Sequence, residues 1–212
     1  MSKINVNTWE PETGTAATLM ASGDTVTVPS GAEIDIASGA TLDVNGTIDL
    51  TGATTTGFPA GGLTQASTWE MTTDFSGSSD PITANWAEES VAGYGTLGTS
   101  MTESSGVFTF PATGYWLIQF YASFSLNSAS SRYAYSIIQT TVDGAAYTTQ
   151  QLARSNLFNS SDWTYGFALN HFLMDVTSTS THKVKFGTTV EAAATVTKGG
   201  ETRATFLRLA DT

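Results

Sequence analysis

The sequence predicts an all-β protein: a short run of β-repeats followed by a larger two-sheet β domain. Three observations lead there. β-Branched and aromatic residues alternate with polar ones along most of the chain, and Gly, Asn, Asp and Ser punctuate the runs. No long stretch keeps apolar residues at the i, i+3, i+4, i+7 spacing of an amphipathic helix. Residues 23–50 repeat a short apolar pair and a tight turn at nearly constant intervals.

That repeat reads GDTVTVPSGAEIDIASGATLDVNGTIDL, with the pairs Val26/Val28, Ile34/Ile36, Leu42/Val44 and Ile48/Leu50. Their first members are 8, 8 and 6 residues apart, and PSG, SG and NG supply the turns. Each unit is a very short strand with one apolar face, which cannot bury that face alone and must stack on its neighbours. Three chains wrapped about one axis would bury the pairs against each other and remove the free strand edges, giving a β-helix-like shaft. An ordinary β-meander edge is the plainer alternative. Residues 51–63, TGATTTGFPAGGL, have a linker composition, and Phe58 is expected to plug a junction between domains or chains.

Residues 64–212 carry nearly all the aromatics. Strands are expected at 68–74, 106–110, 114–126, 133–142, 145–153, 163–176, 182–189 and 202–209, the strand count of a two-sheet jelly roll. Several are apolar on both faces, as in Gly-Tyr-Trp-Leu-Ile-Gln-Phe-Tyr at 114–121. A sandwich within one chain leaves one face of each strand polar. A second apolar face therefore points to contact with another subunit.

Composition narrows the function. The 212 residues carry 8 Lys+Arg against 19 Asp+Glu, a net charge of −11 that repels phosphate and argues against a nucleic-acid partner. No cysteine is present, which excludes disulfides, thiolate zinc sites and a cysteine nucleophile. The two histidines, His171 and His182, are too few for a multi-histidine metal site. The opening MSKINVNTWEPET lacks an apolar run after its lysine, so no signal peptide is expected. No run approaches the ~18 apolar residues of a membrane helix, so membrane insertion is not expected either.

The segment Gly106-Val107-Phe108-Thr109-Phe110-Pro111-Ala112-Thr113-Gly114-Tyr115-Trp116-Leu117 resembles the G-x-F-x-x-P-x-x-G-x-Y-x-F signature of the C1q/tumour-necrosis-factor-like jelly roll. Phe108, Pro111, Gly114 and Tyr115 are matched to it, with Leu117 in the second aromatic position. Pro111 is expected to end one strand, Gly114 to permit the reversal, and Tyr115 with Leu117 to start the next strand facing the core. His182-Lys183-Val184-Lys185-Phe186 and Thr205-Phe206-Leu207-Arg208-Leu209 are similar to late strands of that family, with Arg208 where a glycine is common. Separately, Ser22-Gly23-Asp24-Thr25-Val26-Thr27-Val28-Pro29-Ser30-Gly31-Ala32 resembles short repeats at the start of marine bacteriophage tail fibres. Together the two resemblances imply a homotrimeric virion protein. Residues 1–22 would anchor it, 23–50 would form the shaft, 51–63 the linker and 64–212 a C1q-like head.

Candidate sites follow from residue chemistry. Arg132, Tyr133, Asp162, Trp163 and Tyr165, on two loops that mix small polar and aromatic residues, are the candidates for receptor contact, through sugar stacking and adaptable hydrogen bonds. An interface between subunits is the competing role for Trp163 and Tyr165. Ile4, Val6 and Trp9 are candidates for docking to other virion proteins, or for a first shaft strand. His171 is expected in a core or subunit interface with a satisfied hydrogen bond, and His182 in solvent. Glu88/Glu89 and Asp74/Asp80 lack the spacing of a calcium loop and read as a solvated acidic surface; no metal or cofactor is expected. No nucleophile elbow, H-E-x-x-H motif or Ser-His-Asp spacing occurs.

The expected function is non-enzymatic attachment to a host-surface glycan or protein by a phage fibre or spike at the virion surface, made in the host cytoplasm. A head fibre or capsid decoration protein that stabilises the shell is the alternative. A carbohydrate-active enzyme on a β scaffold would need a paired acid and base in a groove.

Overall fold

A computed structural model of the chain describes residues 63–212 and the isolated positions Val28, Ser38, Thr41 and Val44. Apart from those single positions, the repeat segment, the linker with Phe58, and Ile4, Val6 and Trp9 lie outside the described residues. The described residues form strands and no helix: β1 (Gln65–Met71), β2 (Phe75–Ser76), β3 (Trp86–Glu88), β4 (Thr102–Ser104), β5 (Val107–Thr109), β6 (Gly114–Asn127), β7 (Ser131–Thr141), β8 (Thr148–Leu157), β9 (Trp163–Val176), β10 (Lys183–Val190), β11 (Val196–Thr197) and β12 (Arg203–Ala210).

All eight expected strands are present. The four additional ones, β2, β3, β4 and β11, are two or three residues long, too short to show an alternation of their own. β1 lies three residues earlier than expected, at Gln65–Met71, and β8 differs at both ends, closing at Leu157 rather than 153. β8 begins at Thr148 rather than at 145, because Asp143 captures the chain there: its Oδ1 accepts from the amides of Ala145 at 2.8 Å and Ala146 at 3.0 Å.

Every strand pair is antiparallel, and the strands build two sheets. The seven-stranded sheet runs β2-β11-β6-β12-β1-β3, with β9 on the other edge of β6; the five-stranded sheet runs β4-β5-β10-β7-β8. β6 and β9 pair without a slip from Gly114↔Val176 to Asn127↔Trp163, fourteen residues each.

The two sheets meet on aromatic rings. Phe108 of β5 lies 5.3 Å from Phe186 of β10, in its own sheet. Across the interface it meets Trp69 at 5.4 Å, Trp86 at 5.3 Å and Phe206 at 5.4 Å, from β1, β3 and β12. Phe120 of β6 completes the layer, 4.8 Å from Phe186. Phe108, Phe120, Phe186 and Phe206 are fully buried. Ring pairs of this kind add about 0.5–1.5 kcal/mol each beyond the area they bury.

The expected facing of β6 is corrected by one residue. Trp116, Ile118 and Phe120 point into the core, whereas Tyr115 is exposed and Leu117 half-buried on the outer side. Counted from Gly114, the signature's own spacing places its aromatic positions at 116 and 118. A one-residue slip in a strand exchanges its two faces. Gly114 does make the reversal: its φ is +133°, and a Cβ there would overlap the carbonyl oxygen of Ala210. The guanidinium of Arg208 fills the adjoining space, where its Nε donates to the Thr113 carbonyl at 2.7 Å and Nη1 to Thr64 Oγ1 at 3.0 Å. Arginine at this position thus clamps the end of β12 to the start of β6.

Phe108→Ala is expected to cost about 3–5 kcal/mol, through a cavity on which four other rings border. Gly114→Ala is expected to cost about 2 kcal/mol or more, through a disfavoured φ and the overlap at Ala210. Urea unfolding of the full chain measures both.

Candidate functional site

β9 carries two apolar faces. Inward, Thr164, Ala168, Asn170, Met174 and Val176 are buried. Outward, Trp163, Tyr165, Phe167, Leu169 and Leu173 stand in one row with His171 among them; Tyr165 is 66 % and Phe167 60 % exposed. β6 widens the row. Leu117 is paired with Leu173, and Tyr121 stacks on Phe167 with ring centroids 5.4 Å apart. β12 adds Leu207 opposite Leu117. The result is an apolar face spread over three strands, crossed by the polar row of His171, Gln119 and Thr205.

Charge borders this face on the β1–β3 side. Arg203 of β12 reaches Glu89 Oε2 at 3.3 Å and Glu70 Oε2 at 3.7 Å, and its guanidinium lies 5.8 Å from the Tyr94 ring centre. Burial pushes the Glu89 carboxyl up, but the Val91 amide and Arg203 outweigh it and hold the carboxyl below its ordinary value. Glu89 is therefore a buried ion-pair partner, which corrects the expected solvated acidic surface. Glu88 instead accepts a hydrogen bond from Thr96. Asp74 pairs with Lys198 and accepts from the Gly199 amide at 2.7 Å, and its pKa is lowered chiefly by the Lys198 hydrogen bond. Asp80 is shifted the other way, up, by burial.

The expected solvent position of His182 is corrected, and His171 lies on the outer face of β9 rather than in the core. His182 is buried, its ring nitrogens 3.3 Å from Thr177 Oγ1 and 3.1 Å from Thr181 Oγ1. His171 is exposed in the outer row, without a hydrogen bond among the described residues. Alternation along β9 does not say which face turns inward, which leaves His171 outward, whereas His182 precedes β10 and is held by the hydroxyls of Thr177 and Thr181.

The five receptor-contact candidates share one end of the domain, where the β6–β7 turn and the β8–β9 loop meet through Ser128 Oγ donating to the Ser161 carbonyl at 3.4 Å. They do not share one surface. Arg132 and Tyr133 lie on β7 rather than in a loop, Trp163 and Tyr165 lie on β9, and only Asp162 is in a loop. Trp163 and Tyr165 begin the apolar row. Arg132 turns to Glu191, which accepts from the Arg132 amide at 2.7 Å and pairs with its guanidinium. That hydrogen bond lowers the Glu191 pKa and raises that of Arg132. Tyr133 stacks on Tyr135, ring centres 4.9 Å apart. Phe167, Leu169 and Leu173 were missed as surface residues although their alternation was visible, since an apolar residue on a strand reads first as core.

No protein-family model and no curated protein matches the chain. Among solved structures, it is similar to an Eiger TNF from S. frugiperda at 13 % identity and a TM-score of 0.50, over 73 % of this chain and 96 % of that one. Murine APRIL, crystallised at pH 5.0, aligns over 68 % of this chain and 98 % of its own, at 10 % identity and a TM-score of 0.49. The likeness to Eiger TNF is one of fold: the described domain is a TNF-like jelly roll.

Asp74, Glu89 and Glu191 are all held below the ordinary carboxylate range. As pH falls, the unfolded chain therefore takes up their protons first, so their stabilisation is present at neutral pH and is lost below about pH 4. Asp80 acts in the opposite sense. Thermal melts are expected to show the midpoint dropping across this acid range. Glu89→Gln should cost about 1–3 kcal/mol at pH 7 by removing a charged partner from Arg203, and should flatten the acid dependence.

Proposed function

We propose that this chain is a non-enzymatic structural protein of a bacteriophage virion, a homotrimeric fibre or spike whose jelly-roll domain contacts the host surface. The observation that carries the reading is the outer apolar row of β9, from Trp163 to Leu173, continued by Leu117 and Leu207. Soluble monomers rarely expose a contiguous apolar patch of more than a few hundred Å². Copies of the same chain suit it as a partner, because self-association also gives the stacking that the short β-repeats at 23–50 require. Each half-exposed ring or leucine buried this way contributes on the order of 1 kcal/mol.

The resemblance of residues 22–32 to phage fibre repeats supports a virion location, with residues 1–22 as the anchor and Ile4, Val6 and Trp9 as docking contacts to other virion proteins. The tip end, with Arg132, Tyr133 and Asp162, is left to face a host glycan or protein, and Trp163 and Tyr165 stand where tip and subunit interface adjoin. Three tips on one shaft raise avidity without any new contact, so a weak single site is enough.

Light scattering on the full chain is expected to give three times 22.3 kDa. The double substitution Phe167→Asp and Leu173→Asp, on outward side chains, should give a folded species of 22.3 kDa. A wild-type mass of one chain would overturn the assembly. Particles lacking the protein should lose adsorption to host cells. Loss of capsid robustness with adsorption intact would instead identify a head fibre or decoration protein.

A further inference from the structure

The described chain pairs its arginines with carboxylates, with one exception. Arg132 is held by Glu191, Arg203 by Glu70 and Glu89, and Arg208 by Asp211. Arg154 of β8 has no acidic or hydrogen-bonding partner among the described residues; its guanidinium lies 4.9 Å from the centre of the Tyr135 ring, on the strand paired with it. In a chain with 19 acidic residues and 8 basic ones, a free guanidinium is unusual. The cation–π contact with Tyr135 holds the guanidinium near the strand without taking up its N–H donors.

Arg154 lines a groove of about 460 Å³, at the end of the domain where the β6–β7 turn meets β8. Ser130, Arg132, Asn156 and Leu157 also line it; Ser131 Oγ is engaged by the Tyr133 carbonyl and the Ala192 amide, and Ser155 Oγ faces Gly166 of β9. The volume lies within the roughly 300–1,000 Å³ typical of small-ligand sites. One hydroxyl and one carboxamide suit the alternating donors and acceptors of a sugar, and a guanidinium fork suits a carboxylate bound through two N–H groups. Glu191 neutralises Arg132. The site therefore offers one net positive charge, which matches a monoanion. The Glu191 carboxylate and the net charge of −11 oppose a phosphate of higher charge.

We infer that the groove at Arg154, where the β6–β7 turn meets β8, binds a single uronic-acid residue of a surface polysaccharide, with Arg154 on the carboxylate and Asn156 on the ring hydroxyls. This rests on the reading of the domain as a glycan-contacting tip and supplies the ligand class for it.

Titration calorimetry of the full chain with methyl galacturonoside, a monoanion, tests the inference, with its methyl ester as the neutral control. Saturable binding is expected, weakened at least about ten-fold by esterification and by Arg154→Gln, and partly retained in Arg154→Lys, which keeps the charge but not the fork. Wild-type thermal midpoints would show that these exposed substitutions leave the fold intact. Three results would each overturn the inference: no saturation at millimolar ligand, equal affinity for the ester, or undiminished binding by Arg154→Gln. Displacement by inorganic phosphate as effective as by galacturonate would also count against it. The mass is measured on the same sample. A trimer without uronate binding removes only the ligand class, whereas a monomer that binds removes the assembly and leaves the groove.

Discussion

Phe108 is the ring on which the two sheets close. It sits on a three-residue strand, yet Trp69, Trp86, Phe186 and Phe206 all pack within 5.4 Å of it, from both sheets. Filling the interior with rings of this size fixes the spacing of the sheets and decides which face of every strand points inward. Once Trp116, Ile118 and Phe120 are committed to that layer, Tyr115, Leu117 and Tyr121 have only the outside left.

The outer apolar face is thus a consequence of the inner one. β9 follows β6 for fourteen residues and inherits its orientation, so its own large residues stand outward from Trp163 to Leu173. The edge of this face is not left open. Arg203, Glu70 and Glu89 limit it with a partly buried ion-pair network, and Tyr94 lies under the same guanidinium. An apolar centre with a charged border is the usual anatomy of a protein–protein contact. The polar end of the domain, where the apolar row begins at Trp163, is built differently, from short turns, serines and arginines.

Legibility in the sequence followed the length of each signal. Long strands with sustained alternation, β6, β7, β9, β10 and β12, were visible, and so was the doubly apolar character of 114–121. The short strands β2, β3, β4 and β11 had no period to show, and the start of β8 was set by hydrogen bonds to Asp143 rather than by pattern. Glu89 read as a surface acid because its partner, Arg203, is 114 residues away. Arg154 had no signal at all: its significance lies in the carboxylate it does not meet.

By itself the sequence determined the all-β class, the strand-rich domain beginning near residue 64, the glycine reversal at Gly114 and the surplus of apolar residues over what one interior can hold. Those properties are local or compositional, fixed by alternation, turn chemistry and residue counts. Only the tertiary structure decided the rest: that Trp116 rather than Tyr115 faces the core, that His182 is buried and His171 exposed, and that Arg154, alone among the arginines, meets no acid among the described residues. Each of these depends on which residues meet across the sandwich. A strand's alternation carries two equivalent faces, and nothing within the strand distinguishes them until a second sheet packs against one.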